Sequence, residues 1–423
     1  MLIRTSVWLQ ILTAICCIAV APAAAAPVTT IRIATHYNAE QIAPLRACLR
    51  LYEAEHPGIR IVSQQVSYDD FFQAIQISRV GRSPTDIYNL YSIWAPQLIG
   101  TGTLDVPPSD VGRFVRMNYT ASTIGAATIS GQLWGIPSAV SVYQLVYNKK
   151  LFAAAGYHAP PRTWRDMARI GAAIARKNRQ GNLLVGGYAF GISVANVTHV
   201  FYSEMFAAGV SPYTADLRHT NLRSHAAVDI LTKQVALFRR GITSGSVQAV
   251  DFAGGNIGMT VMPNWLKDTL RASLRNRFDD TIGVAPIPTD GAGGTMIYSF
   301  FWGVDSQSRV KRQAWDLLRW LNGPRGGNGL SCTGRMLAGI GELTGNRADL
   351  AAMRGSTSDA FSQQYIVALA SPGAVSQPNI WHASEVDRLL KYYIELAWAG
   401  RMTPAAALAA ADSGITDILN EQP

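Results

Sequence analysis

What most restricts this chain is a rhythm of short strand-like runs, each followed by a polar or aromatic turn and then by apolar residues at helical spacing. Thr30 to Ala34 alternates like a strand, His36-Tyr37-Asn38 turns, and a helical pattern runs from Ile42 to Glu55 until His56-Pro57-Gly58 stops it. Ile59 to Val66 reads as the next strand, Tyr68 to Val80 as a helix, Asp86 to Tyr91 as a strand and Ala95 to Thr101 as a helix. Strands that alternate with helices form a largely parallel, doubly wound sheet covered on both faces.

The middle of the chain repeats the pattern. Gln144 to Tyr147 is strand-like, Lys149 to Ala155 helical, and Thr163 caps a helix expected to reach about Lys177. Gly187 to Ser193, Asn256 to Met262 and Ile282 to Ile287 read as further short strands, and the last third is helical, ending in Glu385 to Ala399 and Pro404 to Leu419.

Residues 1–25 have the make-up of a secretory signal peptide: Arg4, an apolar run from Ile11 to Ala21, then small residues that permit cleavage after Ala23 or Ala25. That run is shorter than the ~20 residues a membrane-spanning helix needs. Cys16 and Cys17 lie inside the apolar core without small residues before them, so lipid anchoring is not expected and the mature protein should be soluble and periplasmic. Roughly 400 residues remain, more than the ~250–300 at which a single core stops growing, so two α/β lobes are expected.

The net charge of +9 falls to +8 once Arg4 is removed, and the basic residues are scattered rather than clustered, which gives no footprint for nucleic acid. Cys48 and Cys332 are the cysteines left, either as a bridge in an oxidising compartment or as two buried thiols. No metal-ligand spacing, no G-x-S-x-G, no H-E-x-x-H and no phosphate-binding loop occurs, so no cofactor and no catalytic residue is expected. Asp69-Asp70 and Asp279-Asp280 read as cap or turn residues.

A resemblance sharpens this reading. Gly131-Gln-Leu-Trp-Gly-Ile-Pro137, Leu145-Val-Tyr147-Asn148-Lys149-Lys-Leu-Phe152, Ala155-Gly156 and Pro160-Pro161-Arg-Thr163-Trp164 resemble the segment by which extracellular solute-binding proteins (family 1, sugar ABC importers, similar to maltose-binding protein) are recognised. Glu55 to Ile59, Pro84 to Tyr88, Gly102 to Asp105, Gly258-Met259 with Trp265, Ala285 to Pro288 and Ala314 to Leu321 extend the likeness over nearly the whole mature chain.

The resemblance implies a periplasmic binding protein-like fold: two doubly wound α/β lobes with a ligand cleft and hinge crossovers near 138–141, 284–288 and 337–345. Lobe 1 would be 27–140 plus 286–340, and lobe 2 141–285 plus 341–423. It also implies a monomer that closes on a mono- or oligosaccharide and delivers it to the permease subunits of an importer. A polyamine, iron or phosphosugar receptor, or a secreted carbohydrate-active enzyme, are the alternatives.

Sugar sites set flat aromatic faces against the C–H face of a ring and place a few polar groups at its edge. Ligands of open α/β sheets bind beyond the carboxyl ends of strands, which selects His36, Tyr37, Gln65, Tyr91 and Trp94. The resemblance adds Ser141 and Tyr143 on the first crossover, Asn264 and Trp265 at the cleft wall, Ser299 and Phe300, and Trp381 and His382. Relatives carry a Gly-Gly pair where this chain has Tyr298-Ser299-Phe300-Phe301-Trp302, which implies a narrowed pocket. Trp134, Trp164, Trp315 and Trp320 are assigned to structure.

Overall fold

A computed structural model describes residues 28–81, 85–324, 329–356 and 359–421. The expected signal peptide at 1–25 and Pro84 of the family-like motif lie outside the described residues.

Nine strands form one curled sheet: β1 (Thr29–Thr35), β2 (Ile59–Gln65), β3 (Ile87–Tyr91), β4 (Ile136–Asn148), β5 (Met259–Pro263), β6 (Ile282–Ala285), β7 (Thr295–Val304), β8 (Leu343–Thr344) and β9 (Ala374–Ser376). Its main path runs β6-β4-β7-β3-β1-β2, with β5 and β8 paired to β4 and β9 paired to β7. The helices used below are α1 (Ala43–Glu55), α2 (Tyr68–Val80), α3 (Ala95–Gly100), α4 (Trp164–Ile174), α5 (Val194–Ala207), α6 (Cys332–Ile340), α7 (Arg347–Ser356), α8 (Ala360–Leu369), α9 (Ala383–Trp398) and α10 (Pro404–Asn420).

The β-α-β-α-β opening is as expected, and β1 pairs in parallel with both β2 and β3. Beyond it the sheet is mixed: β9 pairs in parallel with β7, but β7 runs antiparallel to β3 and β4 antiparallel to β5, β6, β7 and β8. Three local expectations also differ. The last third is not wholly helical but carries β7, β8 and β9. The helix opened by Thr163 ends at Ile174, and 176–177 pairs with 183–185 in a small separate hairpin. Gly187 to Ser193 makes one isolated bridge, at Phe190, rather than a strand, since its glycines bring backbone against backbone: a Cβ at Gly187 would meet Gly171.

The strand β4 holds the architecture together. Its 13 residues are almost all buried. The first half pairs with β7, from Ile136 opposite Trp302 to Val142 opposite Ile297, and the second half pairs with β5 and β6. Between the two, at Val142 and Tyr143, side chains take over the strand's hydrogen bonds. Asn264 Oδ1 accepts from the Val142 amide at 3.0 Å, while the Thr295 hydroxyl bonds both the amide and the carbonyl of Tyr143 at 3.2 and 2.7 Å. One chain segment thus serves two half-sheets, with its ladder interrupted where it passes from one to the other.

Cys48 of α1 and Cys332 of α6 form a disulfide across 284 residues of sequence, settling the choice between a bridge and two thiols. After β8, α7 is tied back to the β1–β3 half: Asp349 accepts from the amide and hydroxyl of Ser331 at 2.6 and 2.7 Å, and Asn346 donates to the Asn322 carbonyl at 3.0 Å. In contrast, α8 supplies Phe361, Tyr365 and Ile366 to the separate hydrophobic cluster that packs around Val146, Met262 and Ile282.

Candidate functional site

Strand ends deliver aromatic rings to the seam between the half-sheets. His36 and Tyr37 follow β1, Tyr91 ends β3, Trp94 closes the short turn after it, and Tyr68 opens α2 behind the capping Ser67. From the crossover strands come Tyr143 of β4 and Tyr298 and Phe300 of β7. The register between β7 and β4 shifts between Ser299 and Phe301, where Ser138 and Ala139 together face Phe300. Such irregularities re-aim side chains, and here Phe300 stacks between His36 (4.6 Å) and Tyr91 (5.3 Å). Trp94 lies 5.8 Å from Tyr91 and 5.4 Å from Tyr68, and Tyr298 lies 5.9 Å from Tyr143.

Buried phenols need partners, and those at the seam share a single imidazole. Tyr91 donates its proton to Gln377 Oε1 at 2.6 Å, so its oxygen is left to accept from His199 Nε2 at 3.1 Å. His199 Nδ1 then accepts from the Tyr143 hydroxyl at 2.9 Å, which assigns the Nε2–H tautomer. Burial holds His199 at about 3, far below its ordinary value, so the ring is neutral; burial does the same to His36. Behind them, Tyr202 donates to Asp387 at 3.1 Å, and Tyr37 donates to Glu342 at 2.9 Å. Burial pushes Asp387 and Glu342 each up to about 7. The Ser141 hydroxyl and His36 Nδ1 have no hydrogen-bond partner among the described residues.

Of the residues selected from the sequence, His36, Tyr37, Tyr91, Trp94, Ser141, Tyr143 and Phe300 converge on this seam. The other six stand apart from it. Asn264 is occupied at both ends of its amide, by Val142 and by the Gly341 carbonyl at 3.2 Å, and serves as a backbone clip. Ser299 is buried beside Val140, on the opposite face of β7 from Tyr298, because side chains alternate along a strand. Gln65 is exposed at the end of β2, and Trp265 is 37% exposed in the turn after β5. Trp381 rests against Gly100 of α3, and His382 adopts a left-handed backbone conformation with its ring 3.6 Å from Glu385. Trp315 and Trp320, assigned to structure, donate to Asp105 at 3.1 Å and to Glu55 at 2.8 Å.

Sequence reasoning passed over Tyr68, His199, Tyr298, Glu342, Gln377 and Asp387. Tyr68 was accessible to the strand-end rule, as the first helical residue after β2. His199 carries a different signal, a polar ring within the largely apolar, wholly buried stretch Val197 to Ala207. Nothing local marks Asp387 or Gln377, which reach the seam only through helix packing.

Among the described residues, no group of three or more His, Cys, Asp or Glu side chains converges to hold a metal ion, and no helix is long and apolar enough to cross a membrane. Two half-sheets sharing one crossover strand, with a ring-lined seam between them, define a two-part α/β binding fold. The match of residues 35–328 to the bacterial extracellular solute-binding proteins shows that the chain belongs to that family.

A binding protein of Arthrobacter globiformis for cyclic α-maltosyl-1,6-maltose shares the fold with a TM-score of 0.77 at 21% identity, over 93% of this chain and 100% of that one. A solute-binding protein of Thermotoga lettingae bound with α-D-tagatose superposes with a TM-score of 0.79 at 17% identity, with 93% and 100% coverage. In sequence, a Brucella abortus (strain 2308) chain named as a binding protein is 24% identical over 283 residues, covering 64% of this chain and 66% of the relative. The chain thus matches just under two thirds of that relative's length. These family members and structural neighbours are substrate-binding proteins.

Proposed function

We propose that this chain is the periplasmic substrate-binding protein of an ABC importer, which traps a sugar by hinge closure and presents it to the permease. The observation that carries the reading is the seam itself: rings from β1, β3 and α2 on one side and Tyr143 and His199 on the other meet beside the β4 crossover, with the Ser141 hydroxyl left unpartnered. Structural neighbours named for a cyclic maltosyl-maltose and for tagatose favour a sugar among polar solutes.

In this reading the lobes are 27–140 with 286–340 and 141–285 with the C-terminal remainder. The ties from α7 to Ser331 and Asn322 favour moving the last crossover from about residue 340 to the C-terminal side of α7. Each lobe supplies part of the contacts, so the closed form gains them fully only around a solute. The disulfide fits an oxidising compartment, and signal-peptide export without a lipid anchor, a monomeric state and absence of catalysis complete the proposal.

The test is calorimetry and thermal shift of the processed protein with a panel of mono- and oligosaccharides, followed by product analysis. Saturable binding with every sugar recovered intact is expected. Turnover of a glycoside would replace this reading with the enzyme, and binding of phosphosugars, polyamines or iron alone would replace the solute class.

A further inference from the structure

Arginine and lysine are spread thinly along this sequence, yet the fold gathers five of them at one corner. Arg176 and Lys177 form the first strand of the small hairpin, opposite Val185 and Leu183. Arg179 stands in its turn, where Asn178 Oδ1 accepts from the amides of Gln180 and Asn182 at 3.0 and 2.9 Å. Arg239 ends the helix His225–Arg239, Arg240 caps it, and Gly241 follows with a φ of 64°. The Lys177 side chain lies on that glycine, so that a Cβ there would stand 2.6 Å from Lys177 Cε. The missing side chain lets the hairpin close on the helix end and sets the two basic runs side by side.

No ion pair offsets this charge. All five residues are exposed, and among the described residues none of them has a carboxylate partner. Neither 167–203 nor 230–250 contains an aspartate or a glutamate. The acids that border these segments hold other cations, Asp166 with Arg169 at 3.0 Å and Asp229 with Lys233 at 2.7 Å. The carboxyl end of a helix attracts a cation near its last carbonyls, which accounts for one of the five and not for the group. In the same hairpin Leu184 is 57% exposed. The corner also stands away from the seam: Gly186, leaving the hairpin, bridges Ile257 just before β5, whose far end Pro263 lies opposite Tyr143. The length of β5, roughly 15 Å, separates the two.

We propose that this corner adsorbs the protein to an anionic phospholipid surface, with the five cations on lipid phosphates and Leu184 in the headgroup layer. Exposed cations on long flexible stems suit a fluid array of phosphodiesters, which needs no fixed geometry in its partner. Each Lys or Arg beside such a surface strengthens adsorption about fivefold, and an exposed apolar side chain adds burial to it. Held by this end, the protein keeps its seam free for solute. A receptor without a lipid anchor thereby stays near an importer in the same membrane, at a raised effective concentration. The inference goes beyond the sugar-binding reading and stands or falls separately from it.

The test is co-sedimentation of the processed full-length protein with vesicles of phosphatidylcholine alone and of phosphatidylcholine mixed with phosphatidylglycerol. The mixed vesicles should bind at least about tenfold more tightly, and that binding should be lost at about 0.5 M salt, where charges are screened within about 4 Å. The triple variant Lys177→Gln, Arg239→Gln, Arg240→Gln should weaken it by at least about tenfold. An equal change of charge at exposed positions elsewhere, Arg50→Gln, Arg60→Gln, Arg113→Gln, should leave it within about threefold of the wild type. Equal binding to both vesicles, binding that survives salt, or equal losses in the two triple variants overturns the inference. Tighter binding of poly-L-glutamate than of the mixed vesicles assigns the corner to an acidic protein partner and overturns it as well.

Discussion

The indole of Trp381 rests on the Cα of Gly100, so close that a Cβ built there would stand 2.7 Å from Cζ3. The contact joins α3, behind the first half-sheet, to the segment leading into α9. Gly100 does not have a positive φ, so alanine is locally allowed there and only the indole opposes it.

Gly100→Ala should therefore lower the unliganded melting temperature as the indole is displaced, while solute affinity falls about tenfold, near 1.4 kcal/mol. Calorimetry gives the affinity, and small-angle scattering should show a larger radius of gyration with solute than for the wild type. Unchanged affinity would mean that the contact plays no part in closure.

Removal of His199 strands two phenols. His199→Phe should destabilise the protein by roughly 2–3 kcal/mol in urea, because the hydroxyls of Tyr91 and Tyr143 each lose a buried partner. Tyr143→Phe should then cost less in the His199→Phe background than in the wild type. Strict additivity across that double-mutant cycle would contradict the shared-imidazole arrangement.

The buried acids and histidines set opposite slopes against pH. Burial holds Glu204 at about 8 and Asp387 and Glu342 at about 7, so between about pH 4.5 and those values the folded chain binds more protons than the unfolded one. Stability from these groups is present at low pH and is lost as pH rises. His36 and His199, held at about 3, act in reverse: their contribution is complete above pH 6.5 and lost on acidification. Urea-unfolding free energy should therefore peak near pH 4.5, because above it the three acids outweigh the two histidines, and fall by at least about 2 kcal/mol by pH 8. Glu204→Gln should reduce that fall. A profile still rising from pH 6.5 to 8 would show that the carboxyls ionise without cost.

Reduction should weaken the protein without releasing it from its fold at once. The Cys48–Cys332 bridge closes most of the chain into a loop, and its loss typically costs about 2–5 kcal/mol. Urea midpoints with and without dithiothreitol, and for the paired serine variant, measure this. Identical midpoints would indicate that the thiols are not bridged in solution.

Trp265 and Trp94 separate surface from seam. Trp265→Ala should alter stability by no more than about 0.5 kcal/mol, since the ring is 37% exposed. Trp94→Ala, at 7% exposure among Tyr68, Phe71 and Tyr91, should cost about 3–5 kcal/mol. Chemical denaturation of both variants decides it. A large loss from Trp265→Ala would place that ring in the core instead.

Local rules read most of the elements. The expected helix over Tyr68 to Val80 has those bounds, and Ile42 to Glu55 begins one residue later than expected. The rule that ligand groups follow strand ends selected His36, Tyr37, Tyr91 and Trp94, all of which meet at the seam. It also selected Gln65, which is exposed, because β2 is an edge strand whose end looks outward. The family-like pattern pointed to Trp265 and Asn264, and neither joins the rings.

Hydrophobic periodicity, caps and glycine-proline stops act within a dozen residues, so the sequence by itself determined where many of the helices and strands lie, though not β7, and that rings cluster at strand ends. Strand direction, the passage of β4 from one half-sheet to the other, and the meeting of Glu342 and Asp387 with residues far away in sequence were decided only by tertiary structure. Those features depend on long-range pairing and on the desolvation of charges at a seam, and neither leaves a mark on neighbouring residues.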